Sequence, residues 1–319
     1  MSAPSVLRIG TRASALALWQ ARHVAQLIGA QRGAPDTPLR HISTAGDVQS
    51  EVPLWQADGR AFFTREIDRA LLEGTVDAAV HSLKDMPTQL DEGLTLAAVL
   101  ARADARDALV SRGGTPLAAL PRGARIGTSS LRRRAFLARL RPDAELLELR
   151  GNVPTRIERL QRGDYDAVVL AAAGLARLGL ERHVSEYLDP QDLPPAVSQG
   201  AIAVCARAGD AATLAWLAAL DDAPTRLAVS AERALLAHLQ GGCQVPLGAL
   251  ATLRAGTLAL QASVCALDGS QRLSARAAVA TGRSGAAEAL GRRVAEELLE
   301  RGAAALIAAV RATHAVEEP

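Results

Sequence analysis

The single lysine of the chain stands beside an aspartate, in the segment His81-Ser82-Leu83-Lys84-Asp85. This segment follows an apolar run, Val76 to Val80, that predicts a buried strand. The other basic residues among the 36 are all arginine, which suggests that position 84 needs a compact ammonium with a movable proton. An aspartate among cations stays ionised and can stabilise a positively charged intermediate or shuttle a proton. Chance retention of one lysine and a structural Lys-Asp pair are the simpler alternatives.

Arginines recur where a predicted strand gives way to a helix. The segment GTSSLRR, Gly127 to Arg133, combines hydroxyls, backbone N–H groups and guanidiniums, and LRGNVPTR, Leu149 to Arg156, repeats the construction. Arg12 holds the corresponding place after the first strand. Helix starts bind anions, and arginine matches a carboxylate with two parallel hydrogen bonds. Neighbouring junctions of an α/β sheet would face one crevice, so the pattern predicts local carboxylate binding. Capped helices with solvated basic faces are the alternative.

Cys243 is the third residue that could do chemistry. It lies in a predicted turn after Gly241-Gly242, where the absence of side chains lets another group approach, and is therefore placed for covalent attachment. Cys205 and Cys265 lie in apolar strands and are expected to be small buried hydrophobes. With three distant cysteines and no CxxC, the sequence predicts neither a disulfide framework nor a cysteine zinc site, and fits a reducing compartment.

Composition limits the class of protein. The 319 residues are 49% hydrophobic, enough for a large core and two or three domains. A net charge of +2 gives no overall field for nucleic acid. No apolar run has the length of a membrane span and the first ten residues lack signal-peptide features, so we expect a cytoplasmic protein. Phosphate-loop, dinucleotide, GxSxG and HExxH motifs are missing, which disfavours nucleotide, redox and zinc chemistry.

The element pattern that would position these residues is α/β. Strand-like and helix-like segments alternate through the first two-thirds and form two units that look built alike. After Pro190, Pro194 and Pro195, a strand at Ala201 to Ala206 has no helix of the second unit to follow it and is expected to return to the first. A helix, three strands and a C-terminal helix then predict a small α+β domain. The predicted division is 1–103 with 200–220, 104–199, and 225–319.

Eight segments together resemble porphobilinogen deaminase, in order and with family-like spacing. They are GTRASALALWQ, AVHSLKDMP, IGTSSLRRR, LRGNVPTR, AAAGLARLG, LPPAVSQGA, AERALLAHLQGGCQVP and the final helix. The resemblance implies two domains shaped like halves of a periplasmic binding protein around a cleft, and a third bearing the cysteine. It also implies a monomer that joins four porphobilinogens, with loss of ammonia, on a dipyrromethane primer and then releases hydroxymethylbilane by hydrolysis. The same resemblance implies that no metal is needed.

Residue roles follow from the same resemblance. Asp85 would be catalytic, stabilising the cationic pyrrole, and Cys243 would hold one dipyrromethane per chain by a thioether. Every pyrrole brings an acetate and a propionate, which explains the many arginines. The cofactor would contact Ser82, Lys84, Asp85, Thr128, Ser129, Arg132 and Arg133. The substrate would contact Arg12, Arg60, Arg150, Arg156, Arg177 and Gln199.

One loop departs from the family pattern. Where members often carry a lysine, two glycines and a second lysine, this chain has Gln56, Asp58 and Arg60, so Gln56 and Asp58 are left out of the predicted site.

Two other functions remain open. A non-catalytic anion-binding protein would explain the arginines but would give Cys243 no function. A Schiff-base lyase would use Lys84 as nucleophile, but the adjacent Asp85 favours the protonated amine.

Overall fold

The computed structural model describes residues 5–48, 63–240 and 245–315. The strands are β1 (Ile9–Thr11), β2 (Leu39–His41), β3 (Ala78–Ser82), β4 (Leu94–Val99), β5 (Asp107–Ser111), β6 (Arg125–Gly127), β7 (Glu145–Leu147), β8 (Ala167–Ala171), β9 (Glu186–Tyr187), β10 (Ile202–Arg207), β11 (Leu247–Arg254), β12 (Thr257–Cys265) and β13 (Arg272–Ala280). The α-helices are α1 (Ala15–Gly29), α2 (Ala45–Val48), α3 (Arg65–Leu72), α4 (Leu131–Leu140), α5 (Val153–Arg162), α6 (Ala172–Arg177), α7 (Ala211–Ala218), α8 (Ala223–His238), α9 (Ala286–Glu300) and α10 (Ala303–Ala315).

The described residues form two compact units. The first contains those up to residue 103 together with 200–226, and the second contains 104–199 and those from 227 onward. The sequence division into three domains stays a prediction, since the proposed second and third domains lie within one unit. Among the described residues, no helix combines the length and apolar character that a membrane crossing requires.

The first unit is built on a five-stranded sheet of order β2-β1-β3-β10-β4. Strand β1 is parallel to β2 and β3, whereas β10 is antiparallel to β3 and β4. The expected return of the chain to the first sheet is thereby confirmed, because β10 inserts between β3 and β4. The core includes Ile9, Val24, Val80, Val204 and Leu217, which bury side chains of the strands against α1 and α7.

The second unit repeats this arrangement in its first sheet, of order β7-β6-β8-β5-β9. Strand β6 is parallel to β7 and β8, and β5 is antiparallel to β8 and β9. In both units, therefore, three adjacent parallel strands end at one edge of the sheet, and one antiparallel strand lies beside them. The expectation that the two halves are built alike is confirmed.

A three-stranded antiparallel sheet, β11-β12-β13, completes the second unit. Its alternating buried residues pack with apolar residues of α8, α9 and α10, as the predicted α+β segment requires. The sheet also contacts the rest of the unit: Cys265 shares a core with Phe136 of α4, and the Arg272 guanidinium lies 5.4 Å from the Phe136 ring centre. The α/β fold class with a C-terminal α+β part is confirmed.

Polar side chains start the helices that follow the strands. Ser14, Ser130 and Asn152 precede α1, α4 and α5, and each side-chain oxygen accepts a hydrogen bond from the backbone N–H three residues on. Such caps satisfy N–H groups that the helix leaves unpaired. Helix α5 ends at Gly163, whose φ of 91° suits glycine. These caps fix where the arginines of each junction leave the backbone.

Candidate active site

In the first unit, Arg12 lies just after β1 and is held by two contacts. Its Nη2 donates to Asp47 Oδ1 at 2.5 Å, and its guanidinium carbon lies 4.4 Å from the ring centre of Phe63. Partial burial would raise the pKa of Asp47, but the hydrogen bond from Arg12 keeps that pKa below its usual value. Asp47 and Phe63 therefore hold the Arg12 guanidinium in place. The sequence analysis did not identify Asp47 as its counterion.

Lys84 and Asp85 lie in a 3₁₀ turn that continues directly from β3. The turn is fixed at both ends, because the Leu83 N–H donates to Ala201 O at 3.1 Å and the Met86 N–H donates to Leu83 O at 3.2 Å. Both side chains are half-buried. Since β1 and β3 are adjacent and parallel, Arg12 and the Lys84-Asp85 turn follow carboxyl ends at the same edge of the sheet.

Two side chains anchor the end of β3 to helices. The Gln20 amide on α1 donates to Ser82 Oγ at 2.9 Å. His81 lies with its Nε2 3.7 Å from Asp68 Oδ1 of α3. Ser82 was predicted to touch the cofactor; the contact that the structure shows is with Gln20, and the predicted role stays a prediction.

The Asp68-His81 pair is buried, and its two pKa values shift in opposite directions until that of Asp68 lies above that of His81. Burial lowers the pKa of His81 to about 4, with the charge of Arg12 acting in the same direction. Burial raises the pKa of Asp68 to about 6. Between these values the folded pair holds one proton, on Asp68, and an unfolded chain also holds one, on the histidine. Because the two proton counts are equal, the intact pair adds little pH dependence to the free energy of unfolding.

In the second unit the two predicted arginine junctions lie together. Strands β6 and β7 are parallel neighbours, and the Thr128 N–H donates to Leu147 O at 2.9 Å. Ser129 Oγ donates to Leu149 O and accepts from Leu149 N–H at 3.2 Å. Thr128 Oγ1 accepts from the Ser130 N–H at 3.3 Å. Thr128 and Ser129 thus tie one junction to the other, and their predicted cofactor contacts stay predictions.

Arg132 and Arg133 occupy a buried ion-pair network around Asp107. Arg132 Nη1 lies 2.7 Å from Asp107 Oδ2, and Arg133 Nη2 lies 2.7 Å from Asp107 Oδ1. The Gln199 amide donates to the same Oδ1 at 2.9 Å. Burial alone would raise the pKa of Asp107, but the two guanidiniums hold it well below its usual range. The network contains two cations and one anion, so it keeps an excess positive charge.

One N–H donor of this network has no acceptor among the described residues. Arg132 also donates to Pro194 O and Arg133 to Val169 O, yet the buried Nε of Arg132 has no hydrogen-bond partner among the described residues. Burial lowers the pKa of Arg132, and Asp107 opposes this shift. An anion that approached this nitrogen would therefore meet an uncompensated donor and the network's excess charge.

The remaining predicted arginines of this unit follow β7 and β8. Burial lowers the pKa of Arg177, at the end of α6, to about 10, and partial burial also lowers the pKa of Arg150. Arg156 Nε donates to Gly151 O at 2.8 Å. Arg150, the Arg132-Arg133 pair and Arg177 therefore follow three adjacent strands, and the lowered pKa values mark sites where a bound anion would stabilise the guanidinium.

Two predicted site residues, Cys243 and Arg60, lie outside the described residues, as do Gln56 and Asp58. The structure also reveals residues that sequence reasoning did not assign. Asp47 and Asp107 are counterions of predicted cations, and Asp68 is the partner of His81. Asp47 and Asp107 lie far in sequence from the arginines that they pair with. A signal existed only for Asp107, a carboxylate placed directly before the apolar run Ala108-Leu109-Val110.

Comparisons with known proteins identify the same family over nearly the whole chain. The family model described as "Porphobilinogen deaminase, dipyromethane cofactor binding domain" matches residues 7–215, and "Porphobilinogen deaminase, C-terminal domain" matches 226–300. The porphobilinogen deaminase of Roseiflexus castenholzii is 50% identical over 302 residues, covering 95% of this chain and 98% of the relative. That of Syntrophotalea carbinolica is 47% identical over 309 residues, covering 97% of each. Among solved structures, the VFT2 domain of Bordetella pertussis BvgS aligns at 16% identity and TM-score 0.42, covering 72% of this chain and 92% of that one.

Fold and site define a class: an α/β protein in which cations and hydroxyls follow the parallel strands of each large sheet, with Asp85 beside Lys84 after β3. Within that class, the chain belongs to the porphobilinogen deaminase family. It is a transferase that condenses porphobilinogen into hydroxymethylbilane with loss of ammonia, and its cofactor is dipyrromethane. No comparison favours the non-catalytic or Schiff-base alternatives.

Proposed function

We propose the following roles for the site residues of this transferase. Asp85 accepts and donates protons during each addition and stabilises positive charge on the reacting pyrrole. Cys243 holds the dipyrromethane by a thioether. Carboxylates of substrate and cofactor are bound by Arg12, Lys84, Arg132, Arg133, Arg150, Arg156 and Arg177, with Arg60, Ser82, Thr128, Ser129 and Gln199 completing the set. The observation that carries the proposal is the convergence of these cations on the ends of adjacent parallel strands.

The donor set fits a polycarboxylate ligand. Guanidinium and ammonium groups pair with carboxylates by charge-assisted hydrogen bonds. Arg177 and Arg150 have pKa values lowered by burial, and Arg132 keeps an orphaned buried Nε. A carboxylate that reached these groups would form charge-assisted hydrogen bonds with them and favour their charged forms. Dipyrromethane brings two acetates and two propionates, and when bound it supplies the free pyrrole carbon at which the chain grows.

Asp85 is suited to work among cations. It adjoins Lys84 and lies at the same sheet edge as Arg12. Its carboxylate can accept a proton from an adjacent N–H or C–H acid and stabilise a neighbouring cation. Lys84 holds the opposite charge beside it and can bind a carboxylate of the same ligand. Together, the ammonium of Lys84 and the carboxylate of Asp85 would set the positions of positive and negative charge around the reacting pyrrole during each addition.

The other two cysteines support Cys243 as the attachment point. Cys205 and Cys265 are both completely buried. The Cys265 Sγ lies 3.5 Å from Ala135 O, and burial raises the pKa of its thiol, which disfavours the reactive thiolate. Neither buried thiol has room for a pair of linked pyrroles. Cys243 is the one cysteine left.

We further propose that the protein acts in the cytoplasm as a monomer, without nucleic acid or membrane partners. The spacing of the three cysteines predicts no disulfide framework, as expected of a protein in a reducing compartment. The net charge of +2 provides little long-range attraction for polyanions. Sedimentation at several protein concentrations tests the monomer.

Intact mass of the denatured protein tests the attachment, because a thioether survives unfolding. We expect excess mass equal to two linked pyrrole units, on the peptide that contains Cys243. Cys243→Ser should abolish it, and Cys205→Ala serves as the matched control that retains it. A protein whose mass stays unmodified after incubation with porphobilinogen would contradict the proposal.

Replacement of Asp85 tests the chemistry separately. Asp85→Asn should retain the fold and the preloaded primer while lowering kcat by at least about 100-fold, the usual size of a lost proton-transfer group. Asp85→Glu keeps a carboxylate and is expected to retain more activity than Asp85→Asn. Equal turnover by wild type and Asp85→Asn would remove Asp85 from the mechanism. Borohydride trapping with substrate should leave Lys84 unmodified, whereas a Schiff-base lyase would be labelled there.

A further inference from the structure

The strand that leads into Lys84-Asp85 is anchored on both faces of its sheet. Successive side chains of a strand point to opposite faces. Accordingly Ser82 contacts Gln20 on α1, and the preceding residue, His81, approaches Asp68 on α3. Three residues separate His81 from Asp85. A change in the His81 contact therefore acts on the strand end immediately before the turn.

The contact between His81 and Asp68 is buried but incomplete. The exposed fraction is 5% for His81 and 4% for Asp68. At 3.7 Å, His81 Nε2 and Asp68 Oδ1 are beyond hydrogen-bond distance, and neither atom has another hydrogen-bond partner in the described part of the chain. Buried polar atoms are rarely left unsatisfied. A displacement of about 1 Å would let one proton bridge the two atoms.

Three charged groups among the described residues act on this pair. They are Arg12 after β1, Glu66 on α3 and Asp91 before β4. Arg12 disfavours a charged imidazole, whereas Glu66 and Asp91 disfavour a second carboxylate. These charges and the burial of both side chains oppose an ion pair, whereas the Thr64 side chain lowers the pKa of Asp68; the balance favours a neutral ring beside Asp68.

We propose that Asp68 and His81 are positioning residues for Asp85: one hydrogen bond joins them, and its direction sets the orientation of the His81 ring and hence of the turn. When Asp68 is ionised, His81 Nε2 carries the ring proton and donates to the carboxylate, and Nδ1 is an acceptor. When the pair takes up one proton from solvent, the carboxyl group is protonated and donates to Nε2, and the neutral ring carries its own proton on Nδ1. The inference rests on the proposed role of Asp85.

The pair makes a testable contribution to the pH dependence of turnover. The ionised state should be the active one, so kcat should fall as pH drops through about 6, where Asp68 takes up its proton. Asp68→Asn keeps an oxygen that accepts from Nε2–H but cannot titrate, and should remove this inflection. Asp68→Ala removes the contact and should lower kcat by about 10- to 100-fold with a smaller change in KM, as expected for misplacement of a catalytic group. Asp68→Glu should restore part of the activity and the inflection.

Asp77 provides the matched control. It precedes β3 at its other end, is buried, and pairs with Arg8 and Arg207. Asp77→Asn should destabilise the same strand yet preserve the shape of the pH profile. All variants are compared after intact-mass analysis has shown equal primer loading. If Asp68→Asn retains the wild-type inflection, or Asp77→Asn removes it, the pair does not position Asp85.

Nitrogen-15 NMR of labelled histidines tests the pair without any assay of turnover. We expect the His81 signals to show a neutral ring at pH 7 with the proton on Nε2, moving to Nδ1 as pH falls through about 6. His81→Gln identifies the signals. A ring that charges near its ordinary pKa of about 6.5 would overturn the proposed hydrogen bond between Asp68 and a neutral His81. Because NMR does not depend on Asp85, failure of the pair and failure of the Asp85 assignment give different results.

Discussion

Replacing Asp107 by asparagine should be among the most damaging single changes in the second unit. The carboxylate is completely buried and is shared by Arg132, Arg133 and Gln199. Asp107→Asn preserves the size of the side chain but removes its charge. Two guanidiniums, with side chains 5% and 7% exposed, would then lie in the interior without an anion.

The expected cost is about 3–5 kcal/mol, the range found when one partner of a buried ion pair is removed. An exposed pair three residues earlier gives the scale for comparison. Asp104 and Arg106 lie 2.7 Å apart, but their side chains are 36% and 42% exposed. Asp104→Asn should therefore cost no more than about 1 kcal/mol, although the pair has the same distance and chemistry.

Urea unfolding followed by far-UV circular dichroism measures the two costs, and hydrogen exchange of peptides from β5 and α4 shows whether the loss is local. The pKa of folded Asp107 lies below its unfolded value, so its stabilisation is present above about pH 4 and is lost as pH falls. The wild type should thus lose more stability than Asp107→Asn between pH 5 and pH 2. Equal costs for Asp104→Asn and Asp107→Asn would refute this account of burial.

Three further substitutions follow from the contacts. Arg177→Gln should raise KM for porphobilinogen by about 10- to 100-fold in steady-state assays, corresponding to one charge-assisted hydrogen bond of about 1.5–3 kcal/mol. Ser129→Ala should cost about 1–3 kcal/mol in urea unfolding, because the buried backbone groups of Leu149 lose their hydroxyl partner. Asp68→Asn should make the free energy of unfolding rise as pH increases from about 4 to 6.5, because the lowered pKa of His81 is no longer offset; pH-dependent urea titrations check the sign.

Local chemistry made the junctions of the site predictable. Ser14 was expected to cap α1 and does so, because a short hydroxyl side chain before an apolar periodic run satisfies a free N–H of the first turn. Gly127 to Arg133 and Leu149 to Arg156 were expected at neighbouring strand ends, and the parallel pairing of β6 with β7 confirms it. In each case a few consecutive residues determine the outcome.

The parts that escaped prediction depend on residues far apart in the chain. Strand β5 is a short, buried run whose partner β8 lies about 60 residues later, so its pairing has no local signal. The Asp107 network likewise joins residues 25, 26 and 92 positions apart. Periodicity reports which face of an element is apolar, but it does not report which buried carboxylate will meet which guanidinium.

The two similar sheets differ in what their strand ends can do. In the first unit, Lys84 and Asp85 lie in the 3₁₀ turn after β3, and a buried pair joins His81 of β3 to Asp68 of α3, which is the arrangement that the proposed proton chemistry requires. In the second, the buried carboxylate Asp107 is already neutralised by Arg132 and Arg133, and an excess of positive charge remains. Under the proposed roles, the same strand order would serve proton chemistry in the first unit and anion binding in the second, because the buried counterions differ.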